Sequence, residues 1–121
     1  MSQPTKSYGK QSEAIVAQYL RNEGYRICAT NYTTRHGEID IIACDDETYI
    51  FVEVKARKRP SFAMSRTITA SKQAKIIRTA SEYMYRHGCS GYNGRFDVAL
   101  VAHDTITSYI SSAFTADDTI L

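Results

Sequence analysis

This 121-residue chain holds only three cysteines and three histidines. Cys28, Cys44 and Cys89 are odd in number and widely spaced, and His36, His87 and His103 stand at no ligand spacing from them. A disulfide framework and a zinc framework are both excluded as organising principles, and the cysteines read as small core or near-surface thiols. Long apolar runs are also missing. No segment approaches the roughly 20 residues that a membrane-crossing helix needs, and Met1-Ser2-Gln3-Pro4 opens no apolar signal stretch. The expectation is a cytoplasmic protein with no membrane partner. There is no internal repeat and no low-complexity tract.

An overall charge excess is nearly absent, since the formal net charge is +2, which by itself says little about partners. The local deficit is more telling. Between Glu53 and Glu82 there is no acidic residue, while Lys55, Arg57, Lys58, Arg59, Arg66, Lys72, Lys75 and Arg78 supply eight of the fifteen basic side chains. Such a strip attracts a phosphate backbone without reading its sequence, so nucleic acid is the expected partner. The bland alternative is a solvated loop, around Pro60, Ser61 and Phe62, followed by an ordinary basic helix face.

With 43% hydrophobic residues over this length, the chain is expected to form one domain across residues 1–121. Apolar spacing predicts a helix from Ser7 to Glu23, ended by Gly24, with Val16, Ala17, Tyr19 and Leu20 as its apolar stripe. Strands are predicted over Tyr25 to Asn31, Glu38 to Cys44 and Thr48 to Arg57. A second helix, from about Ser71 to His87, is capped by Thr69 or Ser71, stopped by Gly88, and turns Ile76, Ile77, Ala80 and Met84 inward. Strands from Arg95 to Val101 and Ile106 to Ser111 follow, joined by a turn containing His103-Asp104. This order fits an α/β sandwich with a mixed central sheet flanked by helices. The long crossover helix allows the third and fourth strands to run parallel.

Two of these strands carry charges that a purely structural sheet would exclude. Gly37-Glu38-Ile39-Asp40-Ile41-Ile42-Ala43 and Tyr49-Ile50-Phe51-Val52-Glu53-Val54-Lys55 read as buried, and desolvating an unpaired carboxylate costs several kcal/mol or more. Alternation places Asp40, Ile42 and Cys44 on one face of the first, and Phe51, Glu53 and Lys55 on one face of the second. A short turn, either Asp45-Asp46 or Asp45 to Thr48, puts both sets on the same face, with Asp40 opposite Glu53 or one diagonal step away. Two like charges at about 4 Å repel by about 4 kcal/mol at an effective dielectric near 20. A divalent cation shared by the two acids turns that repulsion into attraction, and hard oxygen donors suit Mg2+ or Mn2+ better than zinc. Lys55 aims its charge at the same place. The alternative is an ion-paired ladder of Asp40, Glu53 and Lys55 on a solvated face, which would leave Ile42 and Phe51 exposed.

Asp40, twelve intervening residues, then Glu53-Val54-Lys55 on a hairpin resembles the core of the PD-(D/E)XK nuclease superfamily, with the restriction-endonuclease-like fold of archaeal Holliday junction resolvases. More narrowly, Gly37 to Ala43, Phe51-Val52-Glu53-Val54-Lys55-Ala56-Arg57, Lys72-Gln73 and Arg95-Phe96-Asp97-Val98 resemble the YraN family of small bacterial proteins, described as endonuclease-like. The match runs from about Gly9 to Phe114. The resemblance implies a three-layer sandwich and metal-dependent phosphodiester hydrolysis in DNA, branched or structured DNA included. It further implies Asp40 and Glu53 as metal ligands, Lys55 as the lysine supporting the attacking water and the developing phosphate charge, and Glu13 as the first-helix glutamate of the resolvase branch. Gln73 resembles the helix glutamine or lysine that assists the site in some members.

From the residues alone, Glu13 lies on the apolar stripe of its helix, or simply favours the helix N-terminus. Gln73 also reads as a neutral helix-start residue. Glu38 is either a further acid near the site or the partner of Arg57. Asp97, flanked by Phe96 and Val98, calls for an ion pair or a backbone hydrogen bond. In the expected reaction Asp40 and Glu53, helped by Glu13 and the carbonyl of Val54, hold Mg2+ or Mn2+, and Lys55 assists attack. Arg57, Lys58, Arg59, Arg66, Lys72 and Lys75 hold the polynucleotide. The competing readings are a binding module of the same shape without turnover and a protein-interaction scaffold whose basic loop docks an acidic partner. A sheet edge near Ile106 to Ile110 leaves room for a homodimer.

Overall fold

The computed structural model describes residues 4–58 and 68–116. Arg59 and Arg66, and with them Pro60, Ser61 and Phe62, lie outside the described residues. The element order is α1 (Pro4–Asn22), β1 (Arg26–Thr34), β2 (Gly37–Cys44), β3 (Thr48–Ala56), α2 (Ala70–Arg86), β4 (Asn93–Ala102) and β5 (Thr105–Phe114). The strands form one sheet in the order β1-β2-β3-β4-β5, antiparallel except for the parallel pair β3 and β4. That parallel pair is the one spanned by α2, because a strand can return beside its neighbour in the same direction only after a long crossover.

The helices cover opposite faces of the sheet. Val16, Ala17 and Leu20 of α1 pack on Ile41, Ala43, Ile50, Val52, Ala99 and Val101. Ile76, Ile77, Ala80 and Tyr83 of α2 pack on Ile39, Ile42, Phe51, Val98, Leu100 and Phe114. Each large aliphatic side chain buried this way contributes about 1.5–3 kcal/mol. Because β3 is covered on both sides, Ile50, Phe51 and Val52 are all buried, which is why Tyr49 to Val52 form an apolar run rather than an alternation. The result is the expected three-layer α/β sandwich. Among the described residues no helix is long and apolar enough to cross a membrane.

Local chemistry sets the joints. After α1, Gly24 takes φ +98°, and the amides of Gly24 and Tyr25 donate to the carbonyls of Arg21 and Leu20, closing the helix as a Schellman motif. At the other helix, Thr69 Oγ1 accepts from the Lys72 amide at 3.1 Å, which makes Thr69 rather than Ser71 the cap. His103 (φ 52°) and Asp104 (φ 59°) are both left-handed, which makes the β4–β5 connection a two-residue turn of type I′. The edge strands are less regular and longer than expected. Register shifts fall in the β1–β2 pair between Ile27 and Ala29, and in the β4–β5 pair between Phe96 and Val98 and again between Leu100 and Val101.

The second of these irregular places is organised by Asp97. Its side chain is fully buried and pairs with Arg95 at 2.8 Å, accepts from Tyr109 Oη at 2.6 Å and accepts from the Ser112 amide at 2.9 Å. Ser112 adopts φ 53°, so the carboxylate takes up an amide that the β4 backbone would otherwise have received. Both partners expected for Asp97, an ion pair and a backbone hydrogen bond, are present.

Candidate active site

The β2–β3 hairpin positions the first two acids. Asp45 Oδ1 accepts from the amides of Glu47 and Thr48 at 2.8 Å each, and the Asp45 amide donates to the Thr48 carbonyl at 3.0 Å. This places Asp46-Glu47 at the tip, the four-residue alternative of the two turns considered. The register that follows pairs Cys44 with Tyr49 and Ile41 with Val52, so one further step brings Asp40 level with Glu53. At that step the ladder gives way. Asp40 Oδ2 accepts the Val54 amide at 2.8 Å, a side chain standing where backbone pairing would continue.

The same level breaks the alternation of the neighbouring strands. Ile39 and Ile42, three residues apart, share the α2-side core, whereas Ile41 belongs to the α1-side core. On β1, Ala29 and Tyr32 likewise both pack against the α2-side core, and between them Asn31 adopts φ 49°. Asparagine is one of the few non-glycine residues that tolerates this conformation. Its amide donates to both oxygens of Glu13 at 3.1 Å and to Glu38 at 3.2 Å, so the kink links an acid of α1 to one of β2.

These residues open on a cleft of about 310 Å³ lined by Gly37, Glu38, Asp40, Glu53, Thr69, Ser71, Lys72, Lys75 and Ile76. The first turn of α2 therefore faces the acids with its positive end. Gly37 has φ +152°, and a side chain there would meet Lys75 Cβ and the Thr79 hydroxyl at 3.6 Å. Glu53 is 8% exposed and Lys55 9%, which rules out the solvated ladder. Glu53 Oε2 receives two ammonium groups, Lys72 Nζ at 2.7 Å and Lys55 Nζ at 3.5 Å.

Charge and burial shift the protonation of the group. Burial, then the Glu53 charge, push the Asp40 carboxyl up to about 7, against the stabilising Val54 amide. Burial also raises Glu13, opposed by the Asn31 hydrogen bond and reinforced by Glu38 and Glu53. Burial lowers Lys55 despite Glu53, and Lys72 and Arg57 add to the fall. Lys72 goes the other way: burial alone would lower it, but the hydrogen bond and charge of Glu53 together raise it.

The Asp40 shift predicts a pH dependence. The folded chain keeps this proton to about pH 7, whereas an unfolded chain releases it near 3.9, so stability is lost as pH rises through that interval. In chelator, Asp40→Asn is expected to stabilise the protein by about 2 kcal/mol at pH 8 and by much less at pH 5. Thermal melts at the two pH values check this; equal gains at both would contradict it.

A model of the family described as "Uncharacterised protein family UPF0102" matches residues 12–101. The chain belongs to the UPF0102 family. It is 42% identical over 113 residues to a UPF0102 protein of Alkaliphilus metalliredigens, covering 91% of this chain and 99% of that one. A UPF0102 protein of Desulfosudis oleivorans is 45% identical over 114 residues, 93% of each chain, and one of Chlorobium chlorochromatii is 42% identical over 114 residues, 93% of this chain and 88% of the relative.

In this UPF0102 chain the fold brings Asp40, Glu53 and Lys55 together as expected, and Glu13 is near enough for its charge to act on Asp40. Val54 meets Asp40 through its amide. Lys72 and Lys75 line the cleft, and Arg57 and Lys58 are exposed just beyond β3. Gln73 is not brought to the acids: its side-chain Nε2 donates to the Ile68 carbonyl at 3.1 Å, which serves the start of its own helix. Asp97 forms a separate cluster, level with Val52 of the α1-side core. Two participants went unseen in the sequence, Asn31 as the link between Glu13 and Glu38, and Lys72 as the direct partner of Glu53. An asparagine in the middle of a β-branched strand was the only signal for the first. Among the described residues no three His, Cys, Asp or Glu side chains close into a group able to hold a metal by themselves.

Proposed function

We propose that this protein is a Mg2+- or Mn2+-dependent endonuclease that hydrolyses phosphodiester bonds in DNA, branched or structured DNA in particular. The observation that carries this reading is the meeting of Asp40 and Glu53 in one cleft, with Lys55 on Glu53, at the point where β2 and β3 part. Carboxylates kept close at a cost to the fold are a mark of a site rather than of a scaffold. The donor set fits a hard divalent ion, since it is all oxygen, and a lysine ammonium already stands on Glu53 as a cation would.

Asp40 and Glu53 would hold the ion, with the Val54 carbonyl as a further oxygen donor and Glu13, tied to Asn31, adding its negative charge from outside the ligand group. When bound, such an ion supplies an activated water and neutralises charge on the scissile phosphate. Lys55, held at 3.5 Å from Glu53 and nearly buried, directs a fixed positive charge to where negative charge develops, which is worth most in a water-poor setting. Lys75, the α2 N-terminus and Arg57, Lys58 and Arg59 hold the backbone.

Incubation with flap, nicked, single-stranded and four-way junction DNA in Mg2+, in Mn2+ and in chelator tests this reading. Cleavage is expected only with the ions; cleavage that persists in chelator, or its absence on every substrate, sinks it. A binding module without turnover is the second reading, favoured by the lack, among the described residues, of a third acid completing a ligand group. It predicts salt-dependent binding with no cleavage. Under either reading, neutralising Arg57, Lys58 and Arg59 together weakens DNA binding, and the slope of log affinity against log salt falls by about 2–3. Fluorescence anisotropy across a salt series measures it, and an unchanged slope removes these residues from the interface.

A further inference from the structure

We propose that Lys72 is an exchangeable counter-ion, which occupies Glu53 while no divalent ion is bound, competes with such an ion for that carboxylate, and turns into the cleft when displaced. This rests on Asp40 and Glu53 being cation ligands.

The two ammonium groups on Glu53 Oε2 are not equivalent. Lys55 sits within β3, level with Leu100 of β4, and its side chain is 11% exposed; it has nowhere to go without dragging buried atoms into water. Lys72 stands on the first turn of α2 with its side chain 45% exposed, and its four-carbon stem reorients at little cost. Yet Lys72 makes the shorter contact, 2.7 Å against 3.5 Å. The closer cation is the one free to leave.

The other ligand is compensated differently. Asp40 Oδ2 takes a neutral backbone amide, whereas Glu53 Oε2 carries the two ammonium groups. A divalent ion that takes Glu53 would have to contend with an ammonium already on it, and two positive charges repel at this distance. Thr69, Ser71 and Lys75 surround the cleft into which the released ammonium turns. Loading the site would therefore add Lys72 to Lys75 on the surface offered to a phosphate, coupling ion binding to polynucleotide binding through one side chain.

Calorimetric titration of the full chain with Mn2+ alone tests the exchange, comparing the unmodified protein with Lys72→Met and Lys72→Arg, and with Glu53→Gln as the variant lacking the ligand. Lys72→Met is expected to bind Mn2+ about 10-fold tighter, Lys72→Arg close to the unmodified protein, and Glu53→Gln far more weakly. In chelator Lys72→Met should melt below the unmodified protein and gain more from added Mn2+. Equal or weaker Mn2+ binding by Lys72→Met overturns the exchange and leaves the metal site standing. No Mn2+ binding by any of the proteins overturns both. Should Lys72→Met fail to fold, Lys72→Gln carries the same comparison, with the same outcomes.

Discussion

Asp97→Ala is expected to cost about 3–5 kcal/mol, enough to leave much of the chain unfolded at 37 °C, because it removes one partner of a buried ion pair and strands the others. Three donors converge on this fully buried carboxylate: the Arg95 guanidinium, the Tyr109 hydroxyl and the Ser112 amide. All three lose their acceptor together. The tie between Asp97 and Tyr109 also shows in the phenol, which burial first and then its hydrogen bond to Asp97 hold far above the usual tyrosine range. Asp97→Asn should fall between, since its carbonyl oxygen still accepts but its NH2 would face a donor. Urea unfolding of the three proteins gives the order; a loss below about 1 kcal/mol for Asp97→Ala would show that the cluster is wet and weak.

Asp40→Ala and Glu53→Ala are each expected to lower the cleavage rate about 1000-fold or more while DNA binding persists, since both remove an oxygen donor of the proposed ion. The two substitutions should move stability in opposite directions, which protects the conclusion. Removing Asp40 relieves a carboxyl that burial and Glu53 have made unwilling to ionise. Removing Glu53 deprives Lys55 and Lys72 of their shared partner, and Lys55 in particular is left as a buried charge. Loss of cleavage in both, with melting temperature up in one and down in the other, cannot be a folding defect. Single-turnover cleavage at saturating protein, together with anisotropy binding, separates the steps; retained cleavage in either variant would remove that residue from the chemistry.

Much of this arrangement was legible because it depends on short range in the chain. A hairpin closed by Asp45 to Thr48 has few possible registers, and each brings Asp40 close to Glu53. The parallel β3–β4 pair followed from the length of the crossover, and Asp97 announced itself as a charge in an apolar strand. What stayed hidden depends on long range or on a single torsion. Nothing local tells that Lys72, nineteen positions after Glu53, reaches it through the packing of α2, nor that Gln73 beside it turns to Ile68 instead. Asn31 hid for a different reason: period-two reading assumes that a strand keeps its faces, and one left-handed residue shifts them by one place. The strand expected over Tyr25 to Asn31 in fact runs past that residue, its pairing with β2 continuing to Thr34 and Gly37.

The broken rims of the sheet have a bearing on life in a crowded solution. β1 and β5 are the outer strands; β1 is interrupted at Cys28 and bent at Asn31, and β5 loses register twice within ten residues, with Ser112 left-handed near its end. A growing fibril needs a long, flat row of unpaired amides to copy, and neither border offers one. The torsions that shape the cleft at one rim and seat Asp97 at the other thereby also discourage the molecule from polymerising with itself.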